Sequence, residues 1–181
     1  MSPVGHSLVG LAFAALALPK SSSRKRMVVL PIVFVALANL PDWPFPNWGH
    51  DQYRISHSVF VNLLLIAIAM LVWSMIPWFR SHVPVRFLWM GAAAWLSHLL
   101  LDTFYNHGRG LAIYWPFSSG RLNLAIPCFD TLDLSQSIVS RHNLAVYGIE
   151  AVVYLPVLFI ALVIANSINR FNIAGSSEPK M

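Results

Sequence analysis

The stretch Phe87-Leu88-Trp89-Met90-Gly91-Ala92-Ala93-Ala94-Trp95-Leu96-Ser97-His98-Leu99-Leu100-Leu101-Asp102 is apolar almost throughout and ends on an ionisable pair. As a helix it is greasy enough to lie in a membrane, where such a pair is costly and marks function. Four residues separate His98 from Asp102, so helical geometry stacks them one turn apart on one face. An imidazole and a carboxylate so placed can reach a single metal ion. A hydrogen-bonded pair tying two helices together is the plainer reading of the same spacing. The choice depends on whether other ligands reach the same place.

Composition supports the membrane setting. The chain has 181 residues, 57 % of them apolar and only 10 % charged, against about 45–50 % and about 25 % in soluble domains. A single cysteine, Cys128, excludes an intrachain disulfide and a Cys-rich zinc site. Any metal must therefore be bound by His and carboxylate. The net charge of +5 comes without a basic patch interleaved with aromatics, so no nucleic-acid partner is expected. Gly-rich phosphate loops and dinucleotide fingerprints are absent.

Outward from this stretch, the apolar runs predict an all-α, polytopic membrane bundle. Val85–Phe104, His57–Phe79 and Leu144–Ile168 form three long spanning helices. A shorter N-terminal pair, Val4–Leu18 and Met27–Leu40, falls below the roughly 20 residues that cross a bilayer comfortably, and forms either a tight hairpin packed inside the bundle or a pair that dips in from one side. The first run starts near Pro3, a favourable first-turn residue, and is read as a retained helix because its basic residues follow it. Tyr105–Asn143 reads as a polar, aromatic loop with short helical pieces. Residues 1–170 form one membrane-embedded domain, and 171–181 a polar tail.

Lysine and arginine set the orientation. Placing the 20–26 loop in the cytoplasm gathers eight basic residues and one acid there. The opposite side then carries four basic residues and six acids. His6, Asp42, His57, His98 and Asp102 fall on that extracytoplasmic side, at the ends of different helices, with His50, His107 and His142 alongside. Only His82 faces the cytoplasm.

Imidazole and carboxylate together suit zinc, with manganese or iron as alternatives. Asp42, His57, His98 and Asp102 can supply one first shell, and His6 can reach a neighbouring ion bridged by Asp102. One to three ions are compatible with this set. His50, His107, Asp130 and His142 are second-tier ligands, for which solvated loop residues are the ordinary reading. Arg54 and Arg121 can bind a phosphate or serve as interfacial arginines. Trp43, Trp48, Tyr114 and Trp115 read most simply as an interfacial belt.

Gly5-His6-Ser7, Leu40-Pro41-Asp42, Ser56-His57-Ser58 and Ser97-His98-Leu99-Leu100-Leu101-Asp102 occur in the order found in the YdjM-like family of inner-membrane, predicted metal-dependent hydrolases. Tyr114-Trp115-Pro116-Phe117-Ser118 followed by Phe129-Asp130 also resembles a segment found in many members. The resemblance covers about residues 1–133, and the family is similar to zinc-dependent phospholipase C and the zinc single-strand nucleases. It implies that Asp42, His57, His98 and Asp102 share one metal and that His6 with Asp102 touches another. Two departures stand out. Pro44 occupies the place of a second acid after Leu-Pro-Asp, and Tyr53-Arg54 replaces a His-Arg pair, with His50 in the same loop.

The expected function is a membrane-bound hydrolase that cleaves a phosphoester, such as a lipid head group, at the extracytoplasmic surface. Metal-activated water is the nucleophile and Asp42 and Arg54 are the catalytic residues. Membrane lipids are the expected partners, and the sequence assigns no oligomeric state. The alternatives are a non-catalytic membrane protein that binds a metal or cation, and a transporter or proton relay. A relay predicts acids and histidines along a path through the bilayer, whereas here they crowd one face, Glu150 excepted.

Overall fold

The computed structural model describes residues 1–19, 22–43 and 53–174, with side chains to residue 168. Among these the protein is all-α. Helix α1 spans Pro3–Ala17, α2 Arg24–Asn39, α3 Tyr53–Ser56, α4 Val59–Met75, α5 Pro77–His82, α6 Val85–Asp102 and α7 Arg141–Ala174. A 3-10 turn at Leu40–Asp42 extends α2.

Local chemistry fixes the starts of these helices. Ser2, Ser23 and Ser58 occupy the N-cap positions of α1, α2 and α4, and each side chain accepts from a backbone N–H of the first turn. Pro3 takes the first helical position of α1, where its missing N–H costs nothing.

Helix α1 is the centre of the bundle, packing against α2, α6 and α7. The sequence predicted a short pair of α1 with α2, and the two do pack together, inside the bundle. The reason lies in the small residues of α1. Gly5, Gly10, Ala12, Ala14 and Ala17 are buried, and small residues let helix backbones approach closely. A Cβ at Gly10 would lie 2.8 Å from the Phe34 carbonyl oxygen, so α1 and α2 cross there almost in backbone contact. Two apolar clusters line α1. Val9, Tyr105 and Tyr154 pack toward α7, and Ala14, Ala17, Phe34 and Ala94 pack between α2 and α6.

The outer faces are apolar. Leu64, Leu71 and Met75 on α4, and Val152 and Phe159 on α7, are among many large hydrophobic side chains left exposed. Apolar surface on this scale is unusual for a soluble monomer and suits a lipid surround.

Of the three expected spanning helices, one is long and apolar enough to cross a membrane, Arg141–Ile168 within α7. The predicted His57–Phe79 helix divides at Ile76, whose extended backbone precedes Pro77. This leaves 17 residues in α4, about 26 Å at 1.5 Å per residue. Helix α6 has 18 residues, but its length includes Arg86, His98 and Asp102. The segment between α6 and α7 holds turns and one isolated bridge, Leu111 to Leu122, in place of the expected short helices. Gly108, Gly110, Pro116, Gly120 and Pro127 punctuate it too closely for helical turns to propagate. Helix α7 runs to Ala174, past the expected domain end at 170.

Candidate metal centre

The candidate ligands come from four parts of the chain, each aimed by its own local structure. His98 and Asp102 occupy the last turn of α6, with His98 Nε2 3.3 Å from Asp102 Oδ2, as their spacing requires. His98 Nδ1 donates to the Ala38 carbonyl at 2.8 Å. That bond occupies Nδ1 and turns Nε2 toward the cluster.

Asp42 is delivered by the 3-10 turn after α2. Asn39, one residue before that turn, donates to Ser7 Oγ at 3.2 Å, which ties the end of α2 to the first turns of α1. His57 sits in the bend between α3 and α4. The buried Asn62 clamps that bend, donating to the carbonyls of Ser56 and Ser58 at 2.7 Å each. Its own Oδ1 accepts from Trp95 Nε1 of α6 at 2.6 Å, so α4 and α6 are joined one turn below His98. Val59 N–H donates to the Ile113 carbonyl at 2.9 Å, and Ser58 Oγ donates to Trp115 O, which secures the same bend from the long loop.

These elements bring four ligand atoms together. His57 Nε2 lies 3.3 Å from His98 Nε2, 3.3 Å from Asp42 Oδ1 and 3.4 Å from Asp102 Oδ2. His98 Nε2 lies 3.5 Å from Asp42 Oδ1. With the His98–Asp102 separation, five of the six edges among these atoms measure 3.3–3.5 Å. A tetrahedral ion with bonds of about 2.0–2.1 Å separates its ligand atoms by about 3.3–3.4 Å. The donor set therefore fits a metal in both chemistry and spacing.

His6 joins from α1. Its Nε2 lies 3.1 Å from Asp102 Oδ1, the carboxylate oxygen turned away from His57 and His98. Its ring stacks on that of His98, with centroids 3.8 Å apart. The ligand atoms of His6, Asp42, His98 and Asp102 all lie within 4.8 Å of one another, a group that can hold a metal ion. His57 extends this group through the shorter separations above.

The cluster is buried but not sealed. His6, His57, His98 and Asp102 are buried, whereas the Asp42 side chain is 34 % exposed. It borders a cavity of about 430 Å³ that Arg54, His107 and Arg121 also line. Burial alone would raise the Asp42 carboxyl. Hydrogen bonding to the His57 and His98 imidazoles outweighs it and holds the group below the usual carboxylate range.

The second-tier residues divide. His107 is at the cavity, its Nε2 3.5 Å from the Met1 α-amino nitrogen and 3.8 Å from Asp102 Oδ1. Asp130 is exposed and accepts from Thr131 N–H of its own turn. His142 Nε2 donates to the Thr131 carbonyl at 3.0 Å. Neither of these two joins the cluster. His50 lies outside the described residues.

Two groups at the site went unassigned in the sequence reading. The Met1 α-amino group donates to Asp102 Oδ1 at 2.8 Å. Glu150, fully buried on α7, accepts from Ser2 N–H at 2.7 Å, from Gly5 N–H at 2.9 Å and from Ser2 Oγ. It thereby satisfies the free N–H groups that open α1 and fixes that helix one residue before His6. A Cβ at Gly5 would come within 2.9 Å of Glu150 Oε2, so only glycine admits the carboxylate there. Its position six residues into an apolar run was the available signal.

Searches of curated proteins and of solved structures return no match. A model of the YdjM inner membrane protein family matches residues 1–173, and the chain belongs to that family.

Proposed function

We propose that the protein is a metal-dependent hydrolase of the inner membrane that cleaves a phosphoester, with a lipid head group as the substrate class. The observation that carries this reading is the near-tetrahedral spacing of His57 Nε2, His98 Nε2, Asp42 Oδ1 and Asp102 Oδ2. In this reading those residues hold one ion, zinc by donor type, or manganese. His6 and Asp102 Oδ1, the oxygen that also accepts from the Met1 α-amino group, would hold a second. An ion there supplies Lewis-acid polarisation of a phosphoryl oxygen and activates water for attack.

The chain's own residues supply the rest. Arg54 and Arg121 line the cavity beside Asp42, and their guanidinium groups match a phosphate in charge and geometry. Asp42, His57 and Asp102 all border this space, and Asp42 is the more exposed of the two carboxylates, so it is the one most open to a bound substrate. Asn62, through the bend it clamps, keeps His57 in register with His98. The distribution of Lys and Arg along the sequence supports an extracytoplasmic position for the site. In the same reading α4 and α6 cross the membrane beside α7, with their exposed apolar faces toward lipid.

The test is elemental analysis of gently purified protein, alongside hydrolysis assays on phospholipids and a simple phosphodiester with zinc or manganese supplied. Wild type is expected to carry divalent metal and to release an alcohol and a phosphomonoester, whereas H98A and D42A lose both. Protein that binds no divalent metal and gains no activity from either ion would overturn the reading. Metal without turnover of any phosphoester would favour a non-catalytic metal-binding role.

A further inference from the structure

A larger cavity lies at the other end of the bundle. It measures about 690 Å³ and occupies the space between α2 and α4, both of which pack against α6. That volume falls within the range of ligand pockets. Its walls are apolar, formed by Val33 and Leu37 of α2, Met70 of α4, and Leu88 and Trp95 of α6. Trp95 Nε1 is already committed to Asn62, so this wall offers a polar ligand no free donor from the indole.

The mouth is different in kind. Lys25 and Arg26 border it, in the first turn of α2. That turn carries Arg24, Lys25 and Arg26 and no acid, an arrangement the helix dipole disfavours and an anion would offset. Among the described residues, no carboxylate pairs with any of the three. A ligand matching this cavity must have a long apolar part and one anionic end. In a member of an inner membrane protein family, the surrounding amphiphile of that chemistry is an anionic phospholipid.

We propose that the groove between α2 and α4 seats an acyl chain of an anionic phospholipid, with its phosphate held at Lys25 and Arg26. The site is separate from the His/Asp cluster in position and chemistry, and does not depend on the hydrolase reading. The apolar walls account for the chain and the unpaired cations for the head group.

Native mass spectrometry of the full chain, released from nanodiscs containing equal phosphatidylglycerol and phosphatidylcholine, tests this directly. Wild type should retain phosphatidylglycerol in preference to phosphatidylcholine. K25S/R26S should remove most of that preference, at about fivefold per charge and about 25-fold for the pair. A69F, which fills the groove from an exposed position of α4, should reduce retention of the bound lipid while leaving the helical circular dichroism unchanged. Free glycerol phosphate should not displace the lipid, because it lacks the chain. Equal retention of the two lipids by wild type, or unchanged preference in K25S/R26S, would overturn the proposal. So would displacement by glycerol phosphate, which would mark a phosphate site without a chain.

Discussion

The two ends of this bundle handle charge in opposite ways. At one end, ionisable groups from α1, the turn after α2, the bend before α4 and the last turn of α6 are drawn inside, with contacts of 3.1–3.5 Å between them. At the other, charge stays at the rim of an apolar groove and meets no carboxylate among the described residues. Burying a charge is tolerable only when it is paired or bound to a metal. The first end therefore requires internal partners. The second leaves its charges free for a partner from outside.

The difference can be broken most forcefully at His98. H98A removes a ligand from the tightest set and is expected to weaken metal binding by more than about 100-fold, beyond the usual cost of losing an outer-shell contact. Titration calorimetry with zinc reads this. Retained affinity would mean that the separations among the four ligand atoms do not reflect metal binding.

N62A acts one step away. It leaves every ligand in place but frees the bend that carries His57, and a loss of about 10–100-fold in metal affinity is expected. An unchanged Co(II) absorption spectrum in this variant would show that the bend needs no clamp.

Glu150 tests whether the polar end depends on α7. E150Q keeps the shape and removes the charge that holds Ser2 and Gly5, and should cost about 1.5–3 kcal/mol of stability, read as a lowered thermal midpoint in detergent. Unaltered stability would demote Glu150 to a passive buried acid.

Salt should separate the two ends cleanly. Raising ionic strength from 0.1 to 1 M shortens the screening length from about 10 Å to about 3 Å. Lipid preference at the groove should fall severalfold, while metal retention in the buried cluster holds. Parallel loss at both ends would contradict the contrast.

The smallest effect belongs to Asp130. It is exposed and, among the described residues, bonded only within its own turn, so D130N should leave metal affinity unchanged to within about 0.5 kcal/mol. A large loss would bring the long loop into the site.

How far the sequence could be read varied with the range of the interaction involved. His98 and Asp102 meet because a helix repeats every 3.6 residues, so their contact follows from spacing alone. Pro3 made the start of α1 legible for the same local reason. The sequence left open whether the α1–α2 pair packs inside the bundle or dips in from one side, because the choice rests on backbone approach at Gly10 against Phe34, and a glycine's value there depends on which helix crosses it. The break at Ile76–Pro77 could be seen as a proline, yet the apolar run around it read as one helix. Asp130 and His142 were second-tier candidates by residue type, with solvated loop residues as the ordinary reading. Only their hydrogen bonds to nearby backbone reveal that each is already engaged.

The sequence by itself determined an all-α chain with apolar helices, and it marked the histidines and carboxylates whose order along the chain resembles the YdjM family. Those properties come from composition and from contacts a few residues apart. Tertiary structure decided that Asp42, His57, His98 and Asp102 share one small volume, that His6 reaches the other Asp102 oxygen, and that Glu150 anchors the helix carrying His6. These depend on how α1, α2, α4, α6 and α7 cross. That is settled by side-chain volumes meeting across tens of residues, which no local pattern in the chain encodes.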